Sequence, residues 1–295
     1  MTYQHPLAYL LGLEGLALLR AWAGDHDRAF VEARLAEVRR LLADEELSAH
    51  PGVEVEAGAT DETYRQWAAS YDDPGNGLFD LDAPFVEAVC TGLPAGVALD
   101  AGCGTGRLIP PLLARGHRVV GVDASPAMLA HARRRAPEAD LLVGDLQDLP
   151  LADGAVDLVV TGLALTHVDD LGGALAELAR VLRPGGHLVV SDVHHELVLR
   201  GSAPKTEGSD GRPRMATVRR HTVGDFLRAG LAAGLILRDF DEQPHPAEPD
   251  EPLPAPTRDI GPWRDWPWTL VGLVPEATRS AWAAPAVVLF HFERG

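Results

Sequence analysis

The stretch Val97-Ala-Leu-Asp-Ala-Gly-Cys-Gly-Thr-Gly-Arg-Leu108 decides the fold. A short apolar run ends on Asp100. Gly102, Gly104 and Gly106 follow at alternate positions, and Arg107 to Ala114 reads as a helix. A strand that breaks into a glycine turn and restarts as a helix offers backbone N–H groups to a ligand. A dinucleotide loop would read Gly-x-Gly-x-x-Gly. Counted from Gly102, the third glycine falls on Arg107; counted from Gly104, it falls on Ile109. Neither frame fits. Asp100 would also repel a pyrophosphate, whereas a carboxylate at that point suits a cationic ligand.

The residues that follow repeat the strand–helix rhythm. His117 to Val122 reads as a second strand, ending at Asp123. Ser125-Pro126 then starts a helix, with Ser as N-cap and Pro in the first turn. An acidic residue at the end of a second strand can accept hydrogen bonds from both hydroxyls of a ribose. Ala139 to Gly144 gives a third strand, closing on Gly144-Asp145-Leu146. Pro150-Leu-Ala-Asp-Gly154 turns into a buried-type strand, Ala155 to Thr161. Leu182-Arg-Pro-Gly-Gly186 leads into a fifth, His187 to Asp192. Five alternations over residues 62–192 predict a parallel, doubly wound sheet with right-handed crossovers. Thr222 is expected to cap a helix through Ala233 that Gly234 ends. Leu235 to Phe240 and Ala286 to Phe292 read as sixth and seventh strands.

In order and spacing, the segment from about Tyr64 to Asp192 resembles the class I S-adenosylmethionine (SAM)-dependent methyltransferases, in their small-molecule branch with a methyltransferase domain 11-like core. The resemblance implies an α/β, Rossmann-like fold with a doubly wound seven-stranded sheet, the last strand lying antiparallel between the fifth and sixth. It implies SAM as cofactor and S-adenosylhomocysteine as product. The cofactor residues it carries over are Asp100, Gly102, Cys103, Gly104 and Gly106 in the glycine loop, then Asp123, Ala124 and Met128 after the second strand. Gly144, Asp145 and Leu146 follow, with the Asp145 carboxylate on the adenine amino group, and Thr161 closes the fourth strand. Upstream, Tyr64-Arg-Gln-Trp-Ala-Ala-Ser-Tyr71-Asp72 is similar to the family's lead-in helix. Tyr64 and Tyr71 would lie near the cofactor's amino-acid end and the substrate mouth. The spacing also makes this segment a plain amphipathic helix, with Tyr64, Trp67, Ala68 and Tyr71 on one face. One departure matters. Members that methylate amines and nucleic acids carry Asn/Asp-Pro-Pro-aromatic after the fourth strand; this chain has Thr161-Gly-Leu-Ala. That leaves O-, C- or small-molecule N-methylation.

The cofactor would carry the activated methyl group. The protein must align an acceptor, exclude water and, for a hydroxyl or a carbon acid, take a proton. Candidate bases are His167, after the fourth strand, and His194 and His195, after the fifth, because ligands of open α/β sheets bind at the carboxyl ends of strands. One of the adjacent pair is expected to face the mouth and the other solvent. His167 also reads as a loop histidine that contacts the cofactor. Asp192, His194, His195 and Glu196 form too loose a pattern for a metal, and none is expected. The competing reading is a methyltransferase-fold cyclase or binding protein that keeps SAM without methyl transfer.

The 295 residues, 46% hydrophobic, suffice for one large core or two domains. The net charge of −17 argues against nucleic acid, whose affinity comes mainly from basic surfaces. The most apolar stretch, Leu7 to Ala23, is interrupted by Glu14 and Arg20, which argues against a membrane span. With two cysteines, Cys90 and Cys103, and no signal pattern, a cytoplasmic location is expected. Residues 1–60 read as a helical hairpin, 6–44, followed by a linker, 45–61. Residues 61–295 read as the methyltransferase domain, with cap insertions about 194–220 and 241–285. The first insertion is polar, without periodicity. In the second, Asp241 to Pro256 looks lid-like or disordered, while Trp263, Trp266 and Trp268 either line a pocket or plug a core. The leucine-rich preface is a candidate homodimer contact.

Overall fold

The computed structural model describes residues 1–68, 71–72, 77–244 and 253–295. It divides into two compact units: one of residues 59–199, 217–245 and 285–295, the other of residues 1–58, 200–216 and 246–284.

The first unit is built on seven strands: β1 (Val97–Ala101), β2 (Arg118–Asp123), β3 (Asp140–Val143), β4 (Val156–Gly162), β5 (Leu182–Val193), β6 (Leu235–Pro244) and β7 (Pro285–Arg294). Their order in the sheet is β6-β7-β5-β4-β1-β2-β3. The pairs β5–β4, β4–β1, β1–β2 and β2–β3 are parallel, and β7 is antiparallel to both β5 and β6. Order and sense match the expectation for the seventh strand. The central strands bury both faces because alternate residues serve opposite layers. Leu99, Val122, Val159 and Val190 face a layer shared with Leu175, Leu178 and Phe226. Ala98, Val119, Leu158 and Val189 face Val86, Ile109 and Leu112. The strand order reverses between β1 and β4, so the crevice at the carboxyl ends of these strands is where a ligand can enter.

Arg107, which breaks the dinucleotide pattern, has a structural task. Its guanidinium grips the Asp82 carboxylate at 2.8 and 2.6 Å and lies 4.4 Å from the centre of the Phe79 ring. Asp82 is buried and also accepts from the Ser191 hydroxyl at 2.8 Å. This ties the helix Leu78–Thr91 to the glycine loop and to β5.

The second unit corrects two sequence expectations. Segment 45–61 is not a linker: it holds a helix, Glu45–Ala49, and a strand, Val53–Gly58. The polar insertion is ordered too: its helix His195–Leu199 belongs to the first unit, and its two short strands, Lys205–Glu207 and Pro213–Ala216, to the second. These two strands join Thr2–Gln4 and Val53–Gly58 in a four-stranded sheet. Strands of three to six residues are too short to show a local period, and Val53–Gly58 pairs with a strand more than 150 positions away, which is why the sequence concealed them.

The helical preface forms as expected, as Pro6–Ala23 and Arg28–Ala43, with Asp27 capping the second helix through the Phe30 amide. Buried Glu14 accepts from Arg34 at 3.1 Å, and Arg34 also grips Glu276. Burial lifts the Glu14 carboxyl to about 7, against the pull of Arg34. The tryptophans divide. Trp266 is core, and its carbonyl accepts from Lys205 Nζ at 2.6 Å. Trp263 donates to Gln4, while Trp268 is half-exposed and packs edge-on against Trp282. Asp241 to Pro244 continues β6 rather than forming a lid; residues 245–252 of that expected segment lie outside the described residues. Among the described residues, no helix is long and apolar enough to cross a membrane, and no cluster of metal-ligating side chains occurs.

Candidate functional site

The site grows from β1. Asp100 ends that strand fully buried, and its Oδ2 has no hydrogen-bond partner. Burial pushes its carboxyl up to about 7, with Arg107 opposing and Asp123 and Asp82 adding to the rise. The glycines that follow are left-handed, with φ of 69°, 53° and 78° at Gly102, Gly104 and Gly106. A Cβ on Gly102 would lie 2.6 Å from the Ala164 methyl, and one on Gly106 would press on Ala132 at 3.1 Å. The loop therefore needs glycine both for its dihedrals and for close packing.

The loop amides differ from the sequence expectation of bare N–H groups. Gly102 and Cys103 both donate to the Val122 carbonyl, at 2.8 and 3.0 Å, and Gly104 donates to Asp123 Oδ2 at 2.8 Å. With its N–H groups spent internally, this loop is a poor phosphate cradle. What it presents is shape and negative charge. Asp123 Oδ1 accepts from the Ser125 amide at 2.8 Å, so this carboxylate holds the loop and the next helix together. Its outer lone pairs remain for a ligand hydroxyl.

A cleft of about 250 Å³ opens here. It is lined by Gly102, Gly104, Asp123, Ala124 and Met128, by Gly144, Asp145 and Leu146, and by Tyr64, Tyr71 and His167. Of the remaining sequence candidates, Asp100 lies buried at the end of β1, and Cys103 packs in the core beneath the loop. Gly106 seats the loop on Ala132, and Thr161 is buried within β4. None of these four is among the lining residues. Sequence reasoning missed Gly162, Leu163 and Ala164, which line the floor. Leu163 has φ 58°, the one left-handed non-glycine among the described residues. Such strain concentrates at functional sites, yet no residue type announces it.

Tyr64 sits on the helix Thr60–Trp67, and the residues after that helix are hooked to the glycine loop. Asp72 accepts from the Thr105 hydroxyl at 2.9 Å and from Arg135 at 2.8 Å. Ala69 and Ser70 of the lead-in segment lie outside the described residues. The three candidate histidines have different surroundings. His167 Nδ1 is 3.0 Å from the Thr217 carbonyl, which can only accept, so Nδ1 carries the proton. Nε2 is then an acceptor, 2.7 Å from the Tyr64 hydroxyl. Burial lowers the His167 pKa and keeps the ring neutral. His194 is buried and turned elsewhere: its Nδ1 accepts from the Glu196 amide at 3.2 Å, and its Nε2 donates to Glu242 at 2.8 Å. The His195 ring packs against it, centroids 4.2 Å apart. Neither lines the cleft.

The residues fit a cation-bearing nucleoside ligand. The unpartnered Asp100 oxygen, the glycine turn that a Cβ would fill, and the carboxylates Asp123 and Asp145 all favour positive charge and hydroxyl donors. Comparisons with known proteins agree. Residues 99–190 match the model of a methyltransferase domain. Over 95 residues the chain is 43% identical to malonyl-[acyl-carrier protein] O-methyltransferase of Yersinia pestis, covering 32% of this chain and 36% of that one. It is 44% identical over 154 residues to an uncharacterized 37.1 kDa protein in a transposon of Streptomyces fradiae, covering 49% and 44%. These matches span less than half the length of either relative. Among solved structures, the methyltransferase crystallised with the Haloferax volcanii Trm112 methyltransferase activator aligns with a TM-score of 0.56 and 25% identity, over 80% of this chain and 99% of that one.

Proposed function

Because residues 99–190 belong to a class I SAM-dependent methyltransferase domain, whose cofactor is S-adenosylmethionine, we propose that this chain methylates a small molecule, with His167 as the proton acceptor. One observation supports this most directly: a single cleft is lined both by the glycine loop and Asp123 and by Tyr64 and His167. SAM supplies a methyl group on a sulfonium, an electrophile that needs no further activation. Asp100, buried outside the cleft lining, would act on its positive charge only through its field, while Asp123 would meet its ribose hydroxyls and Asp145 its adenine amino group. Tyr64 and Tyr71, whose rings meet edge to face 5.8 Å apart, would shield the reacting end from water.

Of the three histidines, His167 suits the role of base because it alone lines the cleft and keeps a ring nitrogen free of hydrogen. The acceptor is neutral or cationic in this reading. Asp61, Asp123 and Asp145 line the cleft, and no Lys or Arg is among its lining residues, so an anion would enter against like charge.

Calorimetry with SAM, followed by transfer of a labelled methyl group to a panel of neutral and cationic metabolites, tests the reading. Expected are SAM binding and S-adenosylhomocysteine formation with at least one acceptor class. Stabilisation of the fold by NADH and not by SAM would refute it. Tight SAM binding with no product across the panel would favour a cyclase or binding protein.

A further inference from the structure

We propose that Tyr64 and His167 act as one proton relay and that the acceptor is a neutral phenolic or enolic hydroxyl. The inference rests on the methyl-transfer reading above and adds a second residue and a substrate class to it.

The geometry is directional. With Nδ1–H committed to the Thr217 carbonyl, His167 Nε2 can only accept, so the Tyr64 hydroxyl must donate to it. A phenol that donates its only proton has just oxygen lone pairs left for whatever enters the cleft. It therefore offers an acceptor site to an incoming O–H and is closed to an incoming carbonyl. The base is also held still. Leu163 donates to the Ser191 carbonyl at 2.8 Å, and the Arg219 amide donates to the Thr166 carbonyl at 2.7 Å. The short helical turn that carries His167 is clamped on both sides.

Electrostatics excludes a resting phenolate at Tyr64. Burial, then Tyr71, Asp192 and Asp123, hold the Tyr64 hydroxyl well above the usual phenol range. Tyr64 can pass a proton on but cannot store negative charge. The proton must end on His167, whose imidazolium the Thr217 carbonyl would stabilise and the carboxylate of Asp192, when ionised, would offset. The groups that bear on this pair are thus Tyr71, Asp123 and Asp192, with Thr217 as the neutral partner.

The step balances. The acceptor O–H gives its proton to Tyr64 Oη as Tyr64 gives its own to His167 Nε2. The electron pair left on the acceptor oxygen forms the new O–CH3 bond, the pair of the broken C–S bond stays on sulfur, and His167 later releases its proton to water. A thioether acceptor needs no such relay, and an anionic one would meet Asp61, Asp123 and Asp145.

The test uses the full chain, Tyr64→Phe, His167→Asn, and a series of ring-substituted phenols from nitrophenol to methoxyphenol. Both variants should bind SAM within about threefold of the parent; failure of the parent itself to bind SAM would sink the methyl-transfer reading and not the relay alone. By nitrogen-15 NMR of the S-adenosylhomocysteine complex, the histidine signal absent from His167→Asn should report an Nδ1–H tautomer with Nε2 hydrogen-bonded, and Tyr64→Phe should abolish that bond. In turnover, both variants should lose about 100-fold in kcat with methoxyphenol and little with nitrophenol, because an already acidic hydroxyl needs the relay least. The relay is overturned by an equal loss across the series, a change in KM alone, the other tautomer, or SAM binding without methylation of any phenol.

Discussion

The two groups of residues around the cleft are built by different means. The proposed cofactor end comes from short, neighbouring turns: residues 100–106, 123–128 and 144–146, each closing one of the first three strands. Its shape is made largely of backbone, and its amides are spent on Val122 and Asp123. The proposed acceptor end gathers Tyr64, the turn from Gly162 to His167 and the Thr217 carbonyl, which are scattered over 150 positions. There side chains do the work. A site made from backbone leaves glycines at fixed spacing, whereas a site made from side chains leaves only residues with many other uses.

The comparison can be broken most severely at Gly102. Gly102→Ala forces a left-handed alanine whose Cβ meets Ala164 at 2.6 Å. We expect a cost of about 2–4 kcal/mol in SAM affinity, read by calorimetry, with circular dichroism showing whether the sheet survives. A loss below tenfold would mean that the loop tolerates a side chain and that backbone shape is not its principle. Asp123→Ala removes the acceptor of the Gly104 and Ser125 amides along with the proposed ribose contact. It should weaken SAM by about 1–3 kcal/mol. Unchanged affinity would remove Asp123 from the cofactor end.

A pH titration sharpens the contrast further. The Asp100 carboxyl is pushed up to about 7 in the folded protein from an ordinary 3.8, chiefly by burial. The native state thus holds this proton more tightly than the unfolded chain does. Its contribution to stability is complete below the ordinary value and is lost as pH rises through about 7. A cationic ligand has the opposite preference, because its charge favours the ionised carboxylate. SAM affinity should therefore climb by up to about tenfold per pH unit below neutrality and level off above it. Asp100→Asn should flatten this dependence; a slope that persists in the variant would assign it to another group.

The smallest expected effect is at His194. Its bonds run to Glu242 and the Glu196 amide, away from the cleft. His194→Ala should cost about 1 kcal/mol or more of fold stability by chemical denaturation and leave SAM affinity unchanged. A selective loss of turnover at unchanged stability would return it to the list of bases.

Legibility followed the same division. The alternation of strands and helices and the turns at 100–106, 123–128 and 144–146 could be read, because each is a local pattern of apolar period, cap and glycine. The sheet of the second unit could not. Val53–Gly58 pairs with Thr2–Gln4 on one side and Pro213–Ala216 on the other, and no window of sequence contains those partners. The clamp on His167 was equally hidden. It depends on Leu163 adopting a left-handed conformation and on carbonyls at Thr217 and Ser191, and a carbonyl has no residue signature. Arg107 was read only as a missing glycine; its partner Asp82 gives the positive reason for it.

The place of β7 between β5 and β6 has a kinetic consequence. Residues 285–294 follow the other six strands of this sheet in sequence, yet they fill the middle of one side of it. Until they emerge, β6 has no strand beside it and β5 has one open edge. The pairing that closes the sheet is therefore late and spans long sequence separations, which slows folding and leaves a sticky edge waiting. Synthesis that halts before Pro285 would yield a chain able to assemble its cofactor turns but prone to aggregate through that edge.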